Sequence, residues 1–392
     1  MPDHLSEAMA LFEYTQSMRR DFHAHPELGF QEVRTAGIVA RELSALGLEV
    51  RSGVGGTGVV ALLEGVKPGP VVLVRADMDA LPIHEETGAS YASQNPGVMH
   101  ACGHDGHTAV LLTVAKILNS HRSELAGTVK FMFQPAEEGM GGAEKMIAAG
   151  VLENPSVDTA LALHVWNEKP VGWIGIGNGP VMAGAEIFKI KVLGKGGHGA
   201  APHLGVDPVL AAAQIVSALQ GIVARNVAPL QTAVVSVCTI HGGETFNVIP
   251  PAVLMTGTIR TFEAGVRNLV LERFEKIVHS IAEGMGCQVE IDLQLLTPAT
   301  INQSDSAIRV QAIARRLFPE GELDTANYIT MGSEDFSYVL EKIPGCFFFI
   351  GSANSNKGLD AGHHHPKFDI DEVALPHGAA LMAATIADLL KK

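Results

Sequence analysis

In His100-Ala101-Cys102-Gly103-His104-Asp105-Gly106-His107, a thiol and an imidazole stand two residues apart. Thiolate and imidazole together suit zinc, nickel, cobalt or manganese better than calcium or magnesium. The glycine between Cys102 and His104 lets the chain bring both donors to one point. The same pair also fits a cysteine nucleophile with a histidine base, and the motif alone leaves both readings open. Glu137 and Glu138 add two adjacent carboxylates. Like charges this close repel, and a cation between them lets both stay ionised. Neighbouring residues point in different directions, so one carboxylate can ligate while the other takes a proton from water. A thiol hydrolase has no need of such a pair. His164 and the run His363-His364-His365 before Pro366 supply further imidazoles. Asp77 and Asp79, in Arg75-Ala76-Asp77-Met78-Asp79-Ala80-Leu81-Pro82, are candidates for orienting ligating histidines through hydrogen bonds, with a plain strand-to-turn boundary as the simpler reading.

The elements that carry these residues read as buried strands with chemistry at their exits. Val129-Lys130-Phe131-Met132-Phe133 runs into Glu137, Ala160-Leu161-Ala162-Leu163 into His164, and Cys346-Phe347-Phe348-Phe349-Ile350 into the loop with the triple histidine. In an open, largely parallel sheet such exits converge on one crevice, which predicts a metallohydrolase. Helices are expected over residues 6–20 and 35–46, and a strand pair over 58–63 and 71–74. A helix over 108–118 puts the Cys/His motif on the loop that enters it. From 187 to 295 the pattern becomes strand 187–192, helix 208–223, strands 232–240 and 253–260, helix 266–282 and strand 289–295. That order, β-α-β-β-α-β, is a split βαβ sandwich with its own sheet. The expected architecture is α/β. Residues 1–184 and 297–392 form a mixed, largely parallel sheet flanked by helices, and residues 185–296 form an inserted satellite domain. The satellite carries the Gly-rich stretch 194–203, which lacks the Walker spacing for phosphate binding. Taken separately, its Asn247 and Arg260 pass as a turn residue and a strand-end charge.

At 392 residues the chain exceeds what one core usually fills, so two domains are expected. Hydrophobic residues at 47% and charged residues at 18% describe a packed α/β protein rather than a disordered one. A formal net charge of −14, with Lys and Arg clustering only in pairs such as Arg19-Arg20 and Arg315-Arg316, argues against nucleic acid as a partner. No apolar run approaches bilayer length and no signal-like start is visible, so a cytoplasmic location away from membranes is expected. Four cysteines in a chain of this length are not a disulfide framework, and Cys238, Cys287 and Cys346 lie in apolar strand-like runs that predict burial.

Taken together, several motifs resemble the metallo-aminoacylase and carboxypeptidase family in its N-acyl-amino-acid amidohydrolase branch, which includes hippurate hydrolases and plant auxin-conjugate hydrolases. These are Arg20-Asp21-Phe22-His23-Ala24-His25-Pro26-Glu27-Leu28-Gly29, the Cys102/His104 motif, Glu137-Glu138, His164, Met331-Gly332-Ser333-Glu334-Asp335-Phe336 and His364-His365-Pro366-Lys367-Phe368-Asp369. The resemblance spans nearly the whole chain. It implies a zinc-peptidase-like catalytic domain and a dimerising satellite. It further implies two divalent ions per subunit (Mn, Zn, Ni or Co) on Cys102, His104, Glu138, His164 and His364, with Glu137 as general base and acid. By register the last ligand is His364, with His363 and His365 as alternatives, and no ligand is assigned to Asp77, where the peptidase branches place a histidine. His198 is implied to reach into the partner subunit's site to support the oxyanion, and Asn247 and Arg260 to hold the substrate carboxylate. The implied activity is metal-dependent hydrolysis of N-acyl amino acids to a carboxylic acid and a free amino acid, by a homodimer or dimer of dimers. A cysteine-dependent hydrolase and a non-catalytic metal- or ligand-binding protein on the same fold are the competing readings.

Overall fold

The apolar runs that precede the donor residues lie side by side as strands of one sheet. The computed structural model describes residues 3–326 and 328–391. The chain divides into two units, one made of Met1–Val181, Ile301–Ile329 and Asp335–Lys392, the other of Met182–Thr300 and Thr330–Glu334. Residues 182–184, 297–300 and 330–334 therefore fall with the second unit, whereas the sequence reading put them in the first.

In chain order the first unit begins with helices α1 (His4–Ala10), α2 (Phe12–Ala24) and α3 (Val33–Ala45). Strands β1 (Glu49–Val54), β2 (Gly58–Glu64) and β3 (Lys67–Asp77) follow. Next come α4 (His104–Ser120), β4 (Ala126–Gln134), α5 (Gly142–Ala148), β5 (Thr159–Pro170) and β6 (Trp173–Gly175). The second unit contributes β7 (Gly184–Leu193), α6 (Pro208–Arg225), β8 (Ala233–His241), β9 (Ala252–Thr261), α7 (Ala264–Gly284) and β10 (Gln288–Thr297). The chain then returns to the first unit with α8 (Ser304–Leu317), β11 (Glu322–Asp324), β12 (Gly345–Ala353) and α9 (Ala374–Leu389).

The sheet of the first unit has the order β1-β2-β4-β3-β5-β12-β6-β11. Its central pairs, β4 with β3, β3 with β5 and β5 with β12, are parallel, while β1, β2 and the β12–β6 contact are antiparallel. The unit is therefore a mixed, largely parallel sheet flanked by helices. Parallel central strands are buried on both faces, which is why residues 346–350 are continuously apolar and 129–133 are apolar apart from Lys130, whose buried ammonium donates to the carbonyls of Val151, Glu153 and Pro155. Helix α4 packs against α2, α9 and β3 and is apolar nearly all round for that reason.

Three local expectations change. The helix expected over 6–20 is broken at Leu11, whose amide donates to both Glu7 and Ala8, and no Gly or Pro in the sequence marks the break. Strands β2 and β3 are not partners, because β4 lies between them. Their link passes over the start of β4, with Gly65 donating to the Gly127 carbonyl and Val66 to that of Leu125. His164 sits inside β5 rather than at its exit. Strand β3 pairs with β5 only as far as Arg75 with Ala162, so His164, level with the last β3 residue Asp77, lies just beyond the paired stretch on that side, while β12 still pairs with it through Phe349.

The second unit's sheet, β8-β9-β7-β10, is antiparallel throughout. Phe188, Ile190 and Val192 alternate inward from β7, and Ala211, Ile215 and Leu219 of α6 with Phe274 and Val278 of α7 complete that core. Helix α6, at 18 residues and a mean hydropathy of 1.3, is long and apolar enough to cross a membrane, contrary to the expectation that no run would be. Its apolar stripe is buried within this unit instead. All four cysteines are free, and Cys238 is exposed on β8 rather than buried, because that strand's outer half has no covering layer.

Candidate active site

Strand β3 ends at Asp77, and α4 begins at His104, so the Cys/His motif is half loop and half first helical turn. Gly103 caps the helix in the left-handed region at φ +93, and a Cβ there would meet Val165 Cγ2 at 2.4 Å. Only glycine turns the chain this closely against β5. Cys102, His104 and His164 bring one donor atom each to within 4.8 Å of one another; Cys102, Glu138 and His364 do the same, as do His104, Glu137 and Glu138. The three groups share members and make one continuous cluster. Cys102 Sγ lies 3.5 Å from His164 Nε2, and His364 Nε2 lies 3.2 Å from Glu138 Oε1. Buried His104 Nε2 has no hydrogen-bond partner, and Glu138 Oε1 has only the ion pair with His364. An unpaired polar atom facing such a set of donors is what a bound cation would satisfy.

The supports are specific. His104 Nδ1 donates to the Asp79 carbonyl at 2.9 Å, and His164 Nδ1 to the Val165 carbonyl at 2.6 Å, so each ring offers Nε2 to the cluster. Asp79 accepts the amide of Glu137 on Oδ1 at 3.0 Å and that of Glu138 on Oδ2 at 3.1 Å. It orients the glutamate pair with its carboxylate and His104 with its backbone. Asp77 accepts His107 Nδ1 and Arg75 Nη1, each at 2.6 Å, and stands 3.6 Å from His104 Nε2. Its hydrogen bonds therefore go to residues beside the cluster. His107 Nε2 accepts the Val165 amide at 2.9 Å, so both of its nitrogens are engaged. Two residues in the site loops, Ala136 at φ +53 and His364 at φ +64, adopt the left-handed region without being glycine. Such strain persists where surrounding bonds over-determine it. The His364 amide donates to Ala101 at 2.7 Å, which ties that turn to the Cys/His motif.

Among the three histidines before Pro366, His364 joins the cluster. His363 donates to the Val165 carbonyl at 3.1 Å and lies against Trp166, and His365 Nδ1 accepts the Lys367 amide. Sequence reasoning missed the role of Asp335. Its Oδ1 accepts Gln134 Nε2 at 2.7 Å and Arg75 Nη2 at 3.1 Å, its Oδ2 accepts the Ala143 amide, and its own amide donates to Glu137 Oε1 at 3.4 Å. The available signal was the stretch 331–336, whose acidic pair precedes a buried Phe336.

Charge is distributed to match. Burial pushes the Cys102 thiol up and Glu138 adds to this, with His104 opposing. Burial disfavours the His104 cation, but Asp77 and Cys102 override it and hold that imidazole well above its usual range. Contacts with Cys102 and Glu138 raise His364 to about 10. Burial, His107 and His363 keep His164 neutral, well below its usual value.

The second unit carries the other sequence-selected residues. His198 and Val248 are paired on short strands, and the Ala200 amide donates to His198 Nδ1 at 3.0 Å, which leaves Nε2 as the N–H of a neutral ring. Asn247, next to Val248, accepts the Gly199 amide on its carbonyl at 2.8 Å, so His198 and Asn247 share one corner. Arg260 is half-buried on β9, and its buried Nη1 has no partner. Burial lowers its pKa and Glu186 partly offsets that.

Residues 73–388 match the sequence profile described as Peptidase family M20/M25/M40. A Bacillus subtilis (strain 168) protein carrying an amidohydrolase name, YhaA, is 45% identical over 374 residues, 95% of this chain and 93% of its own. N-acetylcysteine deacetylase of the same organism is 42% identical over 92% of each chain. Among solved structures, the Bacillus subtilis YXEP protein, described as a dinuclear metal binding peptidase from the M20 family, superposes with a TM-score of 0.85 at 38% identity, covering 97% of this chain and 99% of its own.

Proposed function

The chain belongs to peptidase family M20/M25/M40 and is a hydrolase of the amidohydrolase and peptidase type, and from that premise we propose that it hydrolyses the amide bond of N-acyl amino acids. The products are a carboxylic acid and a free amino acid. The observation that carries the reading is the donor cluster of Cys102, His104, Glu137, Glu138, His164 and His364, in which the buried His104 Nε2 has no hydrogen-bond partner. Cys102, His104, Glu138, His164 and His364 would hold two divalent ions, from among Mn, Zn, Ni and Co, and the dinuclear relative supports this. Bound there, the ions would polarise the amide carbonyl and acidify water.

The chain's own groups do the rest. Glu137, its carboxylate steadied by the Asp335 amide, takes the proton from the attacking water and delivers it to the leaving nitrogen. His198 offers its Nε2 hydrogen to the developing oxyanion, from the partner copy of a homodimer. Arg260, with an unpaired buried nitrogen, and Asn247 hold the amino-acid carboxylate and so select free termini over internal peptide bonds. Pairing is assigned to the second unit, whose antiparallel sheet ends in open edge strands β8 and β10 that a second copy would cover. A thiol-nucleophile mechanism is disfavoured, since burial and Glu138 keep Cys102 protonated, the reverse of activation.

The test is a panel of N-acetyl, N-benzoyl and indole-acyl amino acids, assayed after chelation and again with Mn, Zn, Co or Ni restored. Amino-acid release that chelation abolishes and metal restores is the expected result. Turnover that survives chelation, or none with any substrate and metal, overturns the reading.

A further inference from the structure

Helix α4 carries the active-site cluster at its first residue and a second, separate cluster at its other end. Seventeen residues at about 1.5 Å each put roughly 25 Å between them. At the far end two copies of the pattern His-x-x-Glu face each other, His4 with Glu7 on α1 and His121 with Glu124 just past α4. Residues three apart share a helical face, so each pattern presents an imidazole and a carboxylate side by side. His4 Nδ1 lies 3.0 Å from Glu7 Oε2, His121 Nε2 lies 2.7 Å from Glu7 Oε1, and His121 Nδ1 lies 3.1 Å from Glu124 Oε1. The two rings meet edge to face at 5.6 Å. His4 is buried at 4% exposure, Glu7 and His121 are partly covered and Glu124 is exposed, beside a cavity of about 410 Å³ that His4, His121, Glu124, Arg316 and Lys391 help to line.

We propose that His4, Glu7 and His121, with Glu124 alongside, form a further divalent-cation site of the zinc class that clamps α1 to the end of α4. One donor atom from each of His4, Glu7 and His121 lies within 4.8 Å of the others. Donors at 2.0–2.2 Å from a tetrahedral zinc are about 3.4 Å apart, so small side-chain rotations convert the present contacts into ligation. Imidazole and carboxylate suit zinc, cobalt or nickel, and the absence of a thiol sets this site apart from the catalytic one. The alternative occupant is a proton on His121 shared between Glu7 and Glu124. A metal ion would displace it.

Full-length protein is stripped with chelator, equilibrated with micromolar free zinc, desalted and counted for bound metal, alongside His121→Gln and Glu7→Gln. Both residues are partly exposed, so both variants should fold, and neither touches the catalytic cluster. Wild type is expected to hold one equivalent more than either variant, while turnover per active site is equal in all three. Zinc should also raise the wild-type melting temperature further than that of the variants. The difference of one equivalent is read whatever the catalytic cluster holds, so it fails or succeeds independently of the proposed reaction. Equal metal counts in the three proteins overturn the site, including the case where the variants melt lower without metal, which would mark a proton-held brace.

Discussion

Asp79 spends both carboxylate oxygens on the backbone that carries the glutamate pair, accepting the Glu137 amide at 3.0 Å and that of Glu138 at 3.1 Å. The residue before them, Ala136, is in the left-handed region at φ +53, so this turn is strained and Asp79 is one of the groups that holds it. Glu32 is another, accepting the Ala136 amide at 2.9 Å.

Asp79→Asn keeps one acceptor oxygen and replaces the other with a donor that faces an N–H. Activity and metal affinity should both fall, by about 10–100-fold each. Equilibrium dialysis against metal and steady-state kinetics on the same preparation check this. Unchanged metal affinity would mean that the glutamate turn holds its shape without Asp79.

Much of this was legible in the sequence, and the failures share a cause. Cys102, His104, Glu137, Glu138 and His364 follow apolar runs or glycine turns, and donor type with position is enough to select them. His107 has the same residue type in the same motif, yet it is held at both nitrogens by Asp77 and the Val165 amide. A hydrogen-bonded histidine and a ligand look alike until long-range partners are known. Asp335 is nearly 200 residues from Glu137, and no periodicity reports such a contact. The satellite's elements were read almost residue for residue, because an antiparallel sheet with one covered face alternates cleanly. The break at Leu11 left no mark, since tertiary packing sets it.

The paired carboxylates should separate by substitution. Glu137→Gln keeps the shape and loses the proton acceptor, so kcat should fall by roughly 10²–10⁴ with bound metal retained. Glu138→Gln should lower metal occupancy first and activity in consequence. Metal analysis showing the reverse would exchange the two roles.

Metal uptake by the stripped protein should release protons. Without an ion, burial and Glu138 keep Cys102 a thiol; Asp77 and Cys102 keep His104 charged against its burial; and contacts with Cys102 and Glu138 raise His364 to about 10. All three must lose a proton to ligate, whereas His164 is already neutral. The direction follows: affinity should rise with pH across the neutral range, with net proton release when the cluster fills near pH 7. Calorimetry in buffers of different ionisation enthalpy measures that release. Cys102→Ser should lose affinity and activity together, and excess metal should restore part of the activity. A covalent acyl adduct on Cys102 in the metal-free protein would instead point to the thiol as nucleophile.

The proposed pairing makes its own prediction. If His198 serves the partner copy's site, Glu137→Gln and His198→Ala are each inactive as homodimers, yet a mixed dimer has one site with both lesions and one with neither. Random exchange gives about half mixed dimers with one intact site each, so activity should recover to about a quarter of wild type. The two variants must be co-expressed or unfolded and refolded together, so that their subunits can exchange. Native mass spectrometry supplies the count of mixed dimers against which activity is scaled. Mixed dimers without recovered activity would show that His198 acts within its own chain or not at all, whereas a copy of His198 supplied across the interface is the arrangement that restores one site in each mixed dimer.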